Sequence, residues 1–111
     1  MTISGRYRRS MSALVVDAPE RRRYDAVRDG AVLGLAAYAR TEDLVVFTHT
    51  EVDPTLEGQG IGGALVQGAL DHARQLRLKV LPLCPFVQAW IVRHPEYADL
   101  DQRRPASKVT D

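Results

Sequence analysis

The stretch that most constrains this chain runs from residue 52 to residue 65 and reads Val-Asp-Pro-Thr-Leu-Glu-Gly-Gln-Gly-Ile-Gly-Gly-Ala-Leu. An apolar run rich in β-branched residues precedes it at 44–47, and a helix-period pattern follows it, so the glycines sit where a strand turns into a helix. That position makes an anion cradle. Glycine lets the backbone take positive φ and bring its N–H groups close to a ligand, and a helix N-terminus adds unpaired donors and about half a positive charge. Phosphate is the natural guest of such a turn.

The elements around the loop follow from patterning. Residues 13–16 are a short apolar run closed by Asp17, Ala18 and Pro19, which predicts a first strand and a turn. Residues 22–28 have strand length, and Asp29-Gly30 predicts a two-residue hairpin turn that returns the chain along 31–38. After a polar turn near 41–43, residues 44–52 form a fourth strand long enough to sit at the centre of a sheet. From Gly60 the spacing becomes helical: Ile61, Leu65, Ala69, His72, Ala73 and Leu76 recur at three and four, with Arg74 and Arg77 at the end that favours cations. Residues 78–83 read as a strand again, parallel to the fourth through a right-handed crossover. Pro85 suits the first position of a second helix carrying Phe86, Val87, Trp90 and Ile91, and His94-Pro95 ends it. The expected fold is α+β: a four-stranded antiparallel meander, a helix, a parallel fifth strand and a helix. The fourth and fifth strands should splay if a ligand is to enter between them.

Composition narrows the function classes. A chain of 111 residues, 45% hydrophobic and 26% charged, fits one domain. A net charge of +1 argues against nucleic acid or an acidic membrane as the main partner. Thirteen of the fifteen cations are Arg, clustered at residues 6–9, at 21–23 and at 103–104; they read as a solvated surface or, more sharply, as partners for phosphate. One cysteine excludes an internal disulfide and suits a reducing cytoplasm. No apolar run has membrane-spanning length, and the basic N-terminus lacks the apolar segment of a signal peptide. Residues 1–10 read as a flexible lead-in, 11–102 as the domain and 103–111 as a flexible tail. A P-loop is excluded because Gly63-Ala64 stands where Lys and Ser or Thr are required. A dinucleotide fold would place its glycines after the first strand of a parallel sheet.

At this point the chain resembles the GNAT superfamily of acetyl-coenzyme A dependent N-acetyltransferases, whose signature is Gln or Arg, two residues, Gly, one residue, then Gly or Ala. Positions 57–62, Glu-Gly-Gln-Gly-Ile-Gly, match at both small positions and depart at Glu57. The small single-domain YjdJ-type branch is similar over four ordered blocks: His49-Thr-Glu-Val52, the loop at 58–62, Pro82-Leu-Cys-Pro-Phe-Val87 and His94-Pro-Glu-Tyr97. The resemblance covers about residues 13–100. It implies that Gly58, Gln59, Gly60, Ile61, Gly62 and Gly63 hold the coenzyme pyrophosphate through their amides. The pantetheine arm would lie between strands four and five, bonded to the backbone near Val52 and ending close to Cys84. Glu57 should point to solvent or pair with an Arg, because a carboxylate beside a pyrophosphate is repulsive.

Three side chains are candidates for chemistry. Cys84 ends the fifth strand before Pro85, at or beside an N-cap, the kind of place that favours a thiolate. It could accept the acetyl group, donate a proton to the departing thiolate or be a small buried core residue. His49 lies on the same alternate face as Val45 and Phe47, where an imidazole could take the proton of an amine or simply pack, and Glu51, on that face too, could assist through water. Tyr97 would protonate the leaving thiolate, as a tyrosine does in many members of the resembled family, or pack over the coenzyme or the core. His72 and His94 have no partner that the sequence names, Trp90 reads as core, and no spacing among Cys84 and the histidines suits a metal. The expected activity is acetyl transfer from acetyl-coenzyme A to an amine, small-molecule or protein, that no motif identifies. The alternative is a coenzyme A or acyl-coenzyme A binding module that senses or docks and catalyses little.

Overall fold

The computed structural model describes residues 13–103, and the expectations for residues 1–10 and for the tail past Arg103 lie outside them. Five strands form one sheet in sequence order: β1 (Leu14–Ala18), β2 (Arg23–Arg28), β3 (Ala31–Arg40), β4 (Leu44–Val52) and β5 (Lys79–Pro82). The first four pair antiparallel and β5 lies parallel to β4, so the expected meander and crossover are both present. Helix α1 (Ile61–Gln75) makes the crossover and α2 (Pro85–Arg93) follows β5.

Local chemistry sets the joints. Asp29 and Gly30 take φ of 53° and 80°, the two positive values a tight hairpin turn demands. Strand β1 runs on to Ala18, past the apolar run, because Asp17 is satisfied inside the fold: the Tyr38 hydroxyl donates to its Oδ1 at 2.5 Å and Arg40 stands 3.8 Å from its Oδ2. Burial, and then Asp17, push the Tyr38 phenol up to about 12. The 3₁₀ turn Pro95–Leu100 leads to Asp101, which bridges Val80 in parallel, and the Gln102 N–H bonds the Val80 carbonyl at 2.7 Å. This strap covers the open edge of β5. Arg103, expected in the tail, belongs to it, with its guanidinium 2.8 Å from Asp101 Oδ2.

The core lies between one face of the sheet and α1. Ile61, Leu65, Ala69 and Ala73 are buried as the spacing predicts, joined by Val66 and Leu70, and they face Val15, Tyr24, Phe47 and Val80. Burying each large apolar side chain stabilises the fold by about 1.5–3 kcal/mol. Leu76 departs from the expected stripe: it lies past the end of α1 and is 43% exposed. His72 closes the far end of this layer, its Nδ1 2.8 Å from the Tyr24 hydroxyl. Burial lowers its pKa, overriding the opposite pull of Asp17 at 4.0 Å.

Candidate functional site

β5 is too short to follow β4 to its end. The parallel ladder joins Leu44–Phe47 to Lys79–Pro82, after which the N–H groups of Leu83 and Cys84 both bond the Phe47 carbonyl, at 2.9 and 3.0 Å. From there β5 gives way to α2 and β4 continues without it, which is the expected splay. At the opposite edge of this part of β4, the Asp53 N–H bonds the Leu33 carbonyl at 2.9 Å, one step beyond the Gly34–Val52 pair. That makes Gly34 and Val52 a non-hydrogen-bonded pair, so the Val52 N–H and C=O point away from β3 into the gap. The same alternation turns the Thr50 backbone into the gap.

A β-bulge decides which side chains face the gap. Ala37 pairs with His49 while Tyr38 pairs with Phe47, leaving Thr48 as an extra residue on β4. The alternation therefore slips by one. Val45 and Phe47 are buried against α1; past the bulge Thr50 and Val52 take that face, whereas His49 and Glu51 turn outward and are exposed. The expectation that His49 shares the face of Val45 and Phe47 is thus corrected. It keeps its partner: His49 Nε2 lies 2.7 Å from Glu51 Oε2. With that nitrogen donating, Nδ1 is left as the proton acceptor.

Between β4 and α2 opens a cavity of about 380 Å³. Thr50 and Val52 form its strand wall, Leu56 its side, Glu57, Gly58 and Gly60–Gly63 its loop end and Phe86 its helix wall. The loop is organised by Asp53, whose Oδ1 accepts from the Thr55 N–H and hydroxyl at 3.0 and 2.8 Å. Those two bonds, the backbone one first, lower the Asp53 pKa. Gly58 and Gly60 take φ of 89° and 81°, and a Cβ added to either would meet nothing within 4 Å. Backbone conformation, not crowding, requires glycine there, and the space over the loop is open to a ligand. The first helical bond of α1 runs from the Ala64 N–H to the Gly60 carbonyl at 3.0 Å. The amides of Gly60, Ile61, Gly62 and Gly63 therefore have no partner within the helix and are the donors that a phosphate would take.

The residues present fit a phosphate-tailed thioester donor: amides at one end, strand backbone along the side and a closed end where β4 and β5 meet. Among the described residues that line the cavity none is Lys or Arg, and Glu57 is exposed there. The anion would be held by backbone dipoles against one carboxylate. Gln59 is engaged through its own backbone, its N–H bonding the Leu56 carbonyl at 3.1 Å.

Cys84 is the N-cap of α2, as expected, and is 4% exposed. Its Sγ lies 3.4 Å from Thr50 Oγ1, behind the cavity wall that Thr50 forms. Tyr97 stands elsewhere. It packs on Trp90 with ring centroids 5.2 Å apart, and its hydroxyl donates to Asp71 Oδ1 at 2.6 Å. Asp71 is ten residues down α1 from Ile61, about 15 Å along the axis from the loop, and the bond ties the 3₁₀ turn to α1. His94 stacks on Trp90 at 3.7 Å, and its Nδ1 lies 2.7 Å from the Trp90 carbonyl. Phe86, expected only as one of the apolar residues of the second helix, is 40% exposed over the loop, where a Cβ on Gly62 would come within 2.8 Å of its Cζ. Thr50, Leu56 and Phe86 are the cavity residues that sequence reasoning missed; only the bulge and the close approach of α2 to α1 bring them together. Among the described residues no group of three or more His, Cys, Asp or Glu could hold a metal ion. No described helix is long and apolar enough to cross a membrane.

The sheet thus splits beside a helix end whose first amides have no partner inside the helix. A family model described as GCN5-related N-acetyl-transferase matches residues 23–100, which takes in β2 to the last 3₁₀ turn and the whole of the cavity. The chain belongs to this family of N-acetyltransferases. No curated protein matches it. Among solved structures it is similar to the solution structure of a GCN5-like protein from Staphylococcus aureus, at a TM-score of 0.65 and 19% identity, over 92% of this chain and 100% of that one. At that identity the likeness speaks for the fold.

Proposed function

We propose that the cavity binds acetyl-coenzyme A and that its acetyl group passes to an amine by direct attack on the thioester. The observation that carries the reading is the run of amides at Gly60–Gly63, without partners inside α1, at the loop end of a groove whose strand wall is the part of β4 that β5 does not pair. The pyrophosphate would lie on those amides, and the Val52 N–H and C=O would bond the pantetheine arm as a neighbouring strand does. Bound acetyl-coenzyme A supplies the activated acyl carbon. The chain supplies positioning and dipoles aimed where negative charge develops, which are the main sources of acceleration when no covalent intermediate is used. His49, steadied by Glu51, is the proton acceptor for an amine that arrives on the outer side of the sheet. A cytoplasmic setting suits a chain with one buried, free cysteine.

The test combines binding with turnover. Acetyl-coenzyme A and coenzyme A should each raise the Tm, and a panel of primary amines and lysine peptides should yield an acetylated product by mass spectrometry. A Tm unchanged by either ligand at millimolar concentration would overturn the reading. Binding with no product from any amine would favour a coenzyme A-binding module.

A further inference from the structure

We infer that Thr50, not Cys84, presents the reactive polar group to the acyl end of the groove, and that Cys84 is a positioning residue acting through the Thr50 hydroxyl. The inference rests on the cavity being the acetyl-coenzyme A site. The cavity ends at Thr50, because one step earlier on that face Phe47 is bonded by Leu83 and Cys84 and the sheet is closed. A donor with its phosphates on the loop amides and its arm along Val52 brings its thioester to this end.

Thr50 reaches the groove only because of the bulge at Thr48; in a regular strand its side chain would face out and His49 would take its place. Its hydroxyl has one proton and two acceptor positions. Cys84, 4% exposed, stands 3.4 Å behind it, outside the cavity lining. Two arrangements satisfy that contact. If Thr50 donates to sulfur, a ligand carbonyl in the groove has no partner from this pair. If the thiol donates to Oγ1, the hydroxyl proton is free to point into the groove. With a carbonyl present the second arrangement makes two hydrogen bonds, one of them the stronger O–H···O kind, where the first makes one O–H···S contact. The thiol thus holds the hydroxyl in the rotamer that donates to the acyl oxygen. As the amine adds to the acyl carbon, that oxygen becomes an oxyanion, and Thr50 is a donor already aimed at it. Collapse then re-forms the carbonyl, breaks the C–S bond and releases coenzyme A as its thiolate, the amine's proton having gone to His49. No bond to sulfur forms, and neither Thr50 nor Cys84 changes its proton count over the reaction.

The experiment compares wild type with Thr50→Val, Thr50→Ser, Cys84→Ser and Cys84→Ala, reading acetyl-coenzyme A and coenzyme A affinity by calorimetry beside kinetics. Thr50→Val keeps the shape and removes the hydroxyl: acetyl-coenzyme A binding should weaken about fivefold relative to coenzyme A. Its kcat should fall about 100-fold, the size of losing one oxyanion donor. Thr50→Ser should recover most of both. Cys84→Ser, whose hydroxyl also donates to Oγ1, should stay within about threefold of wild type, and Cys84→Ala should lie between it and Thr50→Val, with the loss in kcat rather than KM. An unchanged affinity ratio and kcat in Thr50→Val, with wild type binding both ligands, would overturn the inference while leaving the site assignment standing. So would an acetyl adduct on Cys84 after mixing with acetyl-coenzyme A, together with an inactive Cys84→Ser that still binds. Failure of wild type to bind either ligand would remove the site assignment itself.

Discussion

Glu57 stands in the wall of the groove where the signature of this superfamily carries a cation or an amide, exposed beside the place proposed for the pyrophosphate. Replacing it by Arg changes the local charge by two units. Two unit charges about 6 Å apart in water interact by roughly 0.7 kcal/mol, so the change is about 1.4 kcal/mol per phosphate charge before screening. At 0.15 M salt the Debye length of about 8 Å roughly halves this, and two phosphate charges restore a total of about 1.4 kcal/mol. Glu57→Arg should therefore tighten coenzyme A binding about tenfold, and Glu57→Gln about threefold. The fold should tolerate both, because Glu57 is exposed and its N–H, bonded to the Pro54 carbonyl at 3.3 Å, is backbone. Calorimetry at about 0.05 M and 0.3 M salt is the assay, and the gap between wild type and Arg should shrink as salt rises. Equal affinity of the three proteins at low salt would refute the placement of the phosphates beside this residue.

Three further outcomes follow from the geometry. Gly68→Ala would set a methyl 2.8 Å from Val15 Cβ, a side chain with no exposure and no room to move, so α1 must shift from β1. The overpacking cost of about 1–3 kcal/mol exceeds the ~1 kcal/mol gained in helix propensity, and denaturant melts should show a net loss. His72, with a pKa lowered by burial, favours the fold in its neutral form. That stability is complete above the unfolded value of about 6.5 and is lost as pH falls toward the folded one, so the denaturation midpoint should drop between pH 7 and pH 5 and His72→Phe should flatten that slope. Tyr97→Phe removes the bond to Asp71 and should cost about 1–2 kcal/mol of stability while leaving kcat for acetyl transfer unchanged; a large kcat loss at equal ligand affinity would return Tyr97 to the chemistry.

The strand order and both helices were legible because their signals are local. The Asp29-Gly30 turn, the length of 44–52 and the change of period at Gly60 each carry a physical demand that the sequence states outright. The glycine loop was legible for the same reason. What escaped was the register. A single extra residue at Thr48 exchanges His49 for Thr50 on the groove face, and hydrophobic alternation carries no mark of a bulge beyond the polar run Thr48-His49-Thr50 itself. The partners of His72 and His94 escaped too: Tyr24 lies 48 residues from His72, and the His94 contact needs the chain to turn back over Trp90. Phe86 has an apolar side chain at helical spacing, and only the glycine at position 62, by letting α2 come close, makes it a wall of the groove.

The central claim, that a phosphate-tailed donor lies on the loop amides with its arm along β4, is tested most directly by following backbone amide signals in a two-dimensional NMR titration with coenzyme A. Saturable downfield shifts at Gly60, Ile61, Gly62 and Gly63, with a matching change at Val52 and none at Asp25 or Leu35 on the outer face of the sheet, are the predicted result. Silent loop amides, or saturable shifts gathered at the outer face instead, would contradict it.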